Sequence, residues 1–201
     1  MLRLLLATTN RGKAAEYVSL LKGLDLDLVT LDQVGISQEA AENYSTFEEN
    51  ARSKAVFYAA LSGLITLADD SGLEVDAVGG EPGVRSSRYA GENASDADRV
   101  NFLLDKLKGV PCELRSARFR CVIAIAEPDG KVETVSGDCR GCIALEPRGM
   151  NGFGYDPVFY LPEYEKTIAE ISPELKNEIS HRGRAAQKAR SLLKKLRKRS
   201  G

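Results

Sequence analysis

Four cysteines in 201 residues, at positions 112, 121, 139 and 142, make no disulfide framework. No apolar run approaches the roughly 20 residues that a membrane-spanning helix needs. No internal repeat or low-complexity linker is visible, which favours a compact unit. There is one histidine, His181. From Ile179 onward there is no acidic residue at all, against nine basic ones: Arg182, Arg184, Lys188, Arg190, Lys194, Lys195, Arg197, Lys198 and Arg199. The formal net charge of -1 therefore hides an acidic body, 19 basic against 29 acidic side chains, cancelled by a basic tail.

A hydrophobic fraction of 43% argues against disorder. The length suits one large domain or two small lobes with a sizeable core. Met1 to Ala7 is a short apolar run with no charged leader before it, and Thr9, Asn10, Arg11 and Gly12 follow at once. It reads as a buried first strand and not as a signal peptide. A soluble cytoplasmic protein, one domain over residues 1–201 ending in a basic tail of about six residues, is the expectation.

Leu2 to Ala7 predicts a strand, and Ala14, Tyr17, Val18 and Leu21 fall at helical spacing within Lys13–Lys22. Leu26 to Leu31 reads as a second strand. Thr46-Phe47-Glu48-Glu49 is a capping-box pattern opening a helix to about Leu61. Leu64 to Ala68 predicts a short buried strand stopping at Asp69-Asp70-Ser71-Gly72. A Gly-rich loop spans Gly79 to Gly91, and Ser95 caps a helix to near Lys108. Arg115–Glu127 and Lys131–Leu145 are β-patterned around the hairpin signal Pro128-Asp129-Gly130. Ala185, Ala189, Leu192, Leu193 and Leu196 form one stripe of a final helix. This order predicts an α/β fold, a mixed and twisted central sheet flanked by helices, with a long β-hairpin.

Four stretches could carry chemistry. Thr8-Thr9-Asn10-Arg11-Gly12-Lys13 lies at a strand-to-helix junction, where unpaired amides and the positive end of the dipole suit a phosphate. It is not a Walker A loop, and Thr8 or Asn10 could equally be a plain helix cap. Asp69-Asp70-Ser71-Gly72 ends a strand, where ligands gather in open α/β sheets. Adjacent carboxylates there invite a hard divalent ion, although a solvated turn is the alternative. Alternation along a strand sends only one of the two aspartates into the site. Between residues 39 and 76 stand eight carboxylates, and one loop acid could reach the metal. Lys54, on the second helix, could hold a phosphate or pair with the Asn50 face. In Gly149-Met150-Asn151-Gly152-Phe153-Gly154-Tyr155-Asp156-Pro157, glycines on both sides of Phe153 permit close backbone approach and an aromatic that stacks on a base, or else Phe153 and Tyr155 plug a core edge. His181-Arg182, after Lys176 and Ser180, is weak by itself. Cys139 and Cys142, three apart on a strand, face opposite sides of the sheet and argue against zinc.

Taken in order, Thr8 to Lys13, Phe47-Glu48-Glu49-Asn50-Ala51 with Lys54, Ala68 to Leu73, Phe153 to Pro157 and Ser180-His181-Arg182 resemble the inosine triphosphate pyrophosphatases, also called non-canonical purine NTP pyrophosphatases or the Ham1-like family. The resemblance covers nearly the whole chain. It implies Mg2+-dependent hydrolysis of ITP, dITP and XTP to the monophosphate and pyrophosphate by a cytoplasmic homodimer. By motif it implies that Thr8, Thr9, Asn10, Arg11, Gly12, Lys13, Lys54 and Lys176 hold the triphosphate and that Glu42 and Asp70 hold magnesium. Asp70 is the implied proton acceptor, Ser71 lies beside the substrate, and Phe153, Gly154, Tyr155, Asp156, His181 and Arg182 form the base pocket. Thr9 stands where many members have glycine.

This chemistry suits the residues, since attack of water on the α-phosphorus demands charge neutralisation and positioning. A donor from His181 or Arg182 aimed at the purine 6-position would be left unpaired by adenine, at about 1–3 kcal/mol. Two other readings compete. A related pyrophosphatase acting on modified pyrimidine nucleotides is disfavoured by Phe153 and His181-Arg182. A nucleic-acid-binding protein using the basic tail is disfavoured by the acidic body.

Overall fold

The computed structural model describes residues 1–199 of the chain, Arg199 by its backbone alone. The sheet has seven strands in the order β2-β1-β3-β4-β5-β6-β7. These are β1 (Leu2–Leu6), β2 (Leu26–Thr30), β3 (Ile65–Val75), β4 (Ser116–Ala126), β5 (Val132–Ile143), β6 (Phe159–Leu161) and β7 (Lys166–Thr167). The helices are α1 (Arg11–Leu20), α2 (Phe47–Ser62), α3 (Asp96–Lys106), α4 (Pro173–Ile179) and α5 (His181–Arg199). β1 runs parallel to β2 and β3, whereas β5–β6 and β6–β7 are antiparallel, so the sheet is mixed as expected.

The chain divides into two compact units. The first comprises Met1–Asp70, Cys121–Gly137 and Arg182–Gly201; the second comprises Ser71–Arg120 and Asp138–His181. Core residues of the first come from β1, β3, β4, α1 and α5, among them Leu4, Leu6, Tyr17, Leu67, Ile123 and Leu193. The α5 stripe forms as its spacing requires: Ala185, Ala189, Leu193 and Leu196 are buried and Leu192 is partly so. The second unit buries Leu73, Val75, Leu103, Phe119, Ile143, Val158 and Phe159.

Local signals explain most boundaries. Asn10 accepts the Lys13 amide at 2.9 Å, so α1 begins at Arg11, two residues before the apolar spacing becomes visible. Thr46 accepts the Glu49 amide at 3.2 Å, and its hydroxyl donates to the Glu49 carboxylate at 2.7 Å; Glu49 reaches the cap's hydroxyl rather than its amide. Ser95 and Asp98 make a complete reciprocal box at the start of α3. The hairpin closes on Gly130 at positive φ, with the Glu127 amide donating to the Lys131 carbonyl at 2.8 Å. The Gly79–Gly91 loop follows a 3-10 turn at Asp76–Val78 and contains another at Gly83–Arg88.

One boundary is corrected. β3 does not stop at Ala68 but continues through Asp69, Asp70, Ser71 and Gly72 to Val75. What stops is its pairing with β1, whose last registered partners are Leu6 and Leu67. The two aspartates therefore follow immediately on the point where β1 turns away into the Thr8–Asn10 loop.

The basic tail is less solvated than its composition suggests. Arg190 donates to the Leu20 and Lys22 carbonyls at 2.7 and 2.9 Å, serving the C-terminal end of α1. Lys188 reaches the Ser136 carbonyl, and Arg197 lies 3.7 Å from Asp25. Lys194, Lys195 and Lys198 are exposed, whereas the side chain of Arg199, the last residue of the expected basic tail, lies outside the described residues together with Ser200 and Gly201. Among the described residues no helix is long and apolar enough to cross a membrane.

Candidate active site

The first unit gathers charge where β3 outruns β1. Period-2 alternation places Asp69 on the same side as Leu67, toward α1 and α5. Its Oδ2 lies 3.0 Å from Lys13 Nζ and 3.7 Å from Arg182 Nε, and Arg182 is also paired with Glu16 at 2.5 Å. Asp69 and Arg182 are both essentially inaccessible. Burial alone would raise the Asp69 carboxyl, but Lys13, Arg182 and Lys54 outweigh it and hold it well below the usual carboxylate range. Beneath it, the Cys121 thiol lies 3.8 Å from Asp69 Oδ2 and 3.8 Å from the Tyr17 hydroxyl. Burial pushes this thiol up to about 12.

Asp70 points the other way along the alternation and is 7% exposed. Burial pushes its carboxyl up to about 6; Lys54 and Lys13 oppose the shift, while Glu42 and Asp69 add to it. Lys54 Nζ lies 2.5 Å from Glu42 Oε1, which keeps this buried ammonium charged against its desolvation. The loop that carries Glu42 is pinned by one face of α2. Asn50 receives the Tyr44 amide at 3.1 Å and returns a bond to its carbonyl, and the Tyr58 hydroxyl donates to the Gln38 carbonyl at 3.1 Å. Asn50, Lys54 and Tyr58 are spaced four apart, so one helix face holds the whole segment. Sequence reasoning had not singled out Glu16, or Asn50 and Tyr58 as loop anchors; the only signal was polar residues at i, i+4 and i+8 on a face that is otherwise buried.

Glu42 and Asp70 offer hard oxygen donors of the kind that hold a magnesium-sized cation through one or two carboxylates, with waters and phosphates completing the shell. Among the described residues no three His, Cys, Asp or Glu side chains gather as a metal cage. Cys139 is buried and Cys142 half-buried, both as free thiols. In the Thr8–Lys13 segment the Thr8 hydroxyl accepts the Asn10 amide at 3.2 Å, and Asn10 caps α1. Glu165 is the only non-glycine at positive φ among the described residues, so Thr9 sits in a conformation open to any side chain. Thr9, Asn10 and Arg11 are exposed, Gly12 half-buried.

The second unit holds a separate group. Phe153 lies between Gly152 and Gly154, both at positive φ. Its amide donates to Asp156 Oδ2 at 2.9 Å, and Lys176 Nζ reaches the same oxygen at 2.5 Å while standing 4.7 Å from the Phe153 ring centroid. Asp156 and Lys176 are buried. Lys176 is thus gathered with the Phe153 loop. The Tyr155 hydroxyl donates to the Ser86 carbonyl. His181 is buried and stacks on Phe119, ring centroids 4.7 Å apart. Ser71 follows Asp70 on β3 and is half-buried.

A model of the Ham1 family matches residues 4–192. The chain belongs to the Ham1 family. It is 50% identical over 195 residues to a dITP/XTP pyrophosphatase of Desulforamulus reducens, covering 97% of each chain. It is 51% identical to one of Geobacter sulfurreducens over 92% of this chain and 93% of that one. A HAM1 protein from Coxiella burnetii, 44% identical, superposes with a TM-score of 0.88 over 97% of this chain and 100% of its own. The mixed α/β architecture of this Ham1 chain is thus that of solved relatives.

Proposed function

We propose that this Ham1-family chain is a nucleoside-triphosphate pyrophosphatase that hydrolyses non-canonical purine nucleotides, ITP, dITP and XTP, to the monophosphate and pyrophosphate. The observation that carries the reading is the charge cluster past the end of β1. Two lysines and an arginine meet Asp69, Asp70 and Glu42 beside the exposed Thr9–Arg11 segment. Relatives of about 50% identity over nearly full length bear the dITP/XTP pyrophosphatase name.

In this reading Thr8, Thr9, Asn10, Arg11, Gly12, Lys13 and Lys54 receive the triphosphate, and Glu42 and Asp70 hold Mg2+. When bound there, magnesium would supply neutralisation of phosphate charge and electrophilic activation of the α-phosphorus. Asp70 orients the attacking water and takes its proton. The new oxygen–phosphorus bond forms as the α–β bridging bond breaks, and pyrophosphate leaves. Asp69 is an anchor: with Lys13 and Arg182 upon it, it fixes the lysine rather than entering the chemistry. Phe153 offers the base a stacking face, Gly154, Tyr155, Asp156 and His181 line the same subsite, and Arg182 contributes to base choice. Lys176 steadies this group through Asp156, and Ser71 adjoins the substrate. Homodimerisation and a cytoplasmic setting belong to the same proposal, and size-exclusion chromatography with light scattering checks the former.

The test is pyrophosphate release from a panel of triphosphates with and without magnesium. ITP, dITP and XTP are expected to be cleaved far faster than ATP and GTP, and chelation should abolish release. Equal rates on ATP and ITP would overturn the specificity, and no release from any purine triphosphate would overturn the function.

A further inference from the structure

Gly154 donates its amide to Asp96 Oδ2 at 2.7 Å, an interaction across 58 positions of sequence. Asp96 is the first residue of α3, and it is itself held. Its other carboxylate oxygen is paired with Arg99, whose guanidinium also donates to the Ser87 carbonyl at 2.8 Å and the Ala94 carbonyl at 2.6 Å. The segment from Ser86 to Arg99 therefore takes hold of the Phe153 loop at two adjacent residues, the Gly154 amide through Asp96 and the Tyr155 hydroxyl through the Ser86 carbonyl. Ser86 is in turn tied to β3, since its hydroxyl accepts the Leu73 amide at 2.9 Å.

The loop needs such a tie. Gly152 and Gly154 both lie in the left-handed region, and a glycine on each side of Phe153 lowers the cost of alternative backbone states. On one side Phe153 is anchored by its own amide to Asp156. On the other side the Gly154 amide has Asp96, a charged acceptor that makes a stronger bond than a neutral one. Losing it would remove one of the ties that hold the loop, alongside the Phe153 amide bond to Asp156 and the Lys176 contact with its ring.

We propose that Asp96, oriented by Arg99, is a positioning residue that sets the Phe153 loop for base recognition. It touches neither phosphate nor metal in this scheme and acts through Gly154. The inference rests on the pyrophosphatase reading for its kinetic arm only.

Asp96→Ala, Asp96→Asn and Ser95→Ala are compared with wild type. Ser95→Ala removes the α3 cap but leaves the Gly154–Asp96 bond, so it reports what loosening the helix start does by itself. Asp96→Ala should raise KM for ITP about tenfold with kcat changed less than twofold, the scale of one lost charge-assisted hydrogen bond. Inhibition by inorganic tripolyphosphate, which has no base, should be unchanged. Asp96→Asn, which keeps an acceptor oxygen, should restore most of the loss. An unchanged ITP KM, an equal effect in Ser95→Ala, or a parallel weakening of tripolyphosphate would overturn the proposal. Amide hydrogen exchange over residues 150–157 gives an arm independent of activity and, in wild type, of any variant's folding. Gly154 should be protected in wild type and not in Asp96→Ala; an unprotected wild-type Gly154 amide would overturn it. If wild type releases no pyrophosphate while Gly154 is protected, the functional reading fails and the tie stands.

Discussion

Gly152→Ala isolates the physics of the Phe153 loop. Gly152 has φ +78°, and a Cβ there would overlap Asp156 Oδ2 and lie 2.9 Å from its Cγ and 3.2 Å from its Cβ. Because the whole short side chain is close, rotating the carboxylate cannot relieve the clash. The displaced oxygen is the one that accepts both the Phe153 amide and the Lys176 ammonium. Left-handed strain costs about 1–2 kcal/mol, and weakening a buried charged hydrogen bond costs about 1.5–3 kcal/mol. The sum is roughly 3–5 kcal/mol. Gly154→Ala is the control: φ is +63° and nothing lies within 4 Å of its built Cβ, so it should cost the strain alone, about 1–2 kcal/mol.

The assay is urea unfolding followed by circular dichroism, with midpoints compared at constant m, alongside KM for ITP. Gly152→Ala should lose at least twice the stability of Gly154→Ala and should weaken ITP binding more. Asp156→Ala in the Gly152→Ala background should cost less than Asp156→Ala in wild type, because the clash has already disrupted the pair. If the two alanine variants prove equally stable, the packing of Asp156 against Gly152 is not what holds the loop, and the reasoning fails.

Three further outcomes follow from the first unit. Asp70→Asn should abolish pyrophosphate release without lowering the stability of the metal-free protein, since burial already disfavours its charge; Asp69→Asn, facing Lys13 and Arg182, should destabilise by several kcal/mol. Retained turnover in Asp70→Asn would remove Asp70 from the mechanism. Arg182→Ala leaves Asp69 and Glu16 without their guanidinium and should cost about 3–5 kcal/mol in thermal or urea unfolding while eroding the ITP-over-ATP ratio; an unchanged ratio would refute its part in base choice. Iodoacetamide at pH 8 should modify exposed Cys112 in the native protein but reach Cys121 only after unfolding, and labelling of both at one rate would contradict the burial of the Tyr17–Cys121 layer.

What could be read beforehand divides along a physical line. β1, α1, β2, α2 and the α5 stripe announce themselves through period and caps, which are local properties. The end of β3 did not, because Asp69-Asp70-Ser71-Gly72 has the composition of a turn. The strand persists there because the partners that compensate Asp69, Lys13 and Arg182, come from α1 and α5, far away in sequence. For the same reason nothing local marks the bond between Arg182 and Glu16, which are 166 positions apart. Glu42 was reachable only through family resemblance; its pairing with Lys54 and the Asn50 and Tyr58 anchors belong to a loop with no periodicity of its own. The Phe153 loop was legible in its glycines but not in its supports, since nothing in Asp96 marks it as the acceptor for Gly154.

The adjacent aspartates show how the fold assigns different tasks to identical side chains. Strand alternation alone separates them, sending Asp69 toward α1 and α5 and Asp70 to the opposite face. On the first face two helices bring Lys13 and Arg182, so the carboxylate is neutralised by protein and held far below its usual range. On the second face Lys54 is paired with Glu42, and burial outweighs the opposing charges of Lys54 and Lys13, so the Asp70 carboxyl is pushed up to about 6. A cation bound at such a buried carboxylate, as proposed for Asp70, would offset the desolvation that burial imposes. Lys13 and Arg182 thus fix Asp69 as an anchor, while on the opposite face burial raises the Asp70 carboxyl.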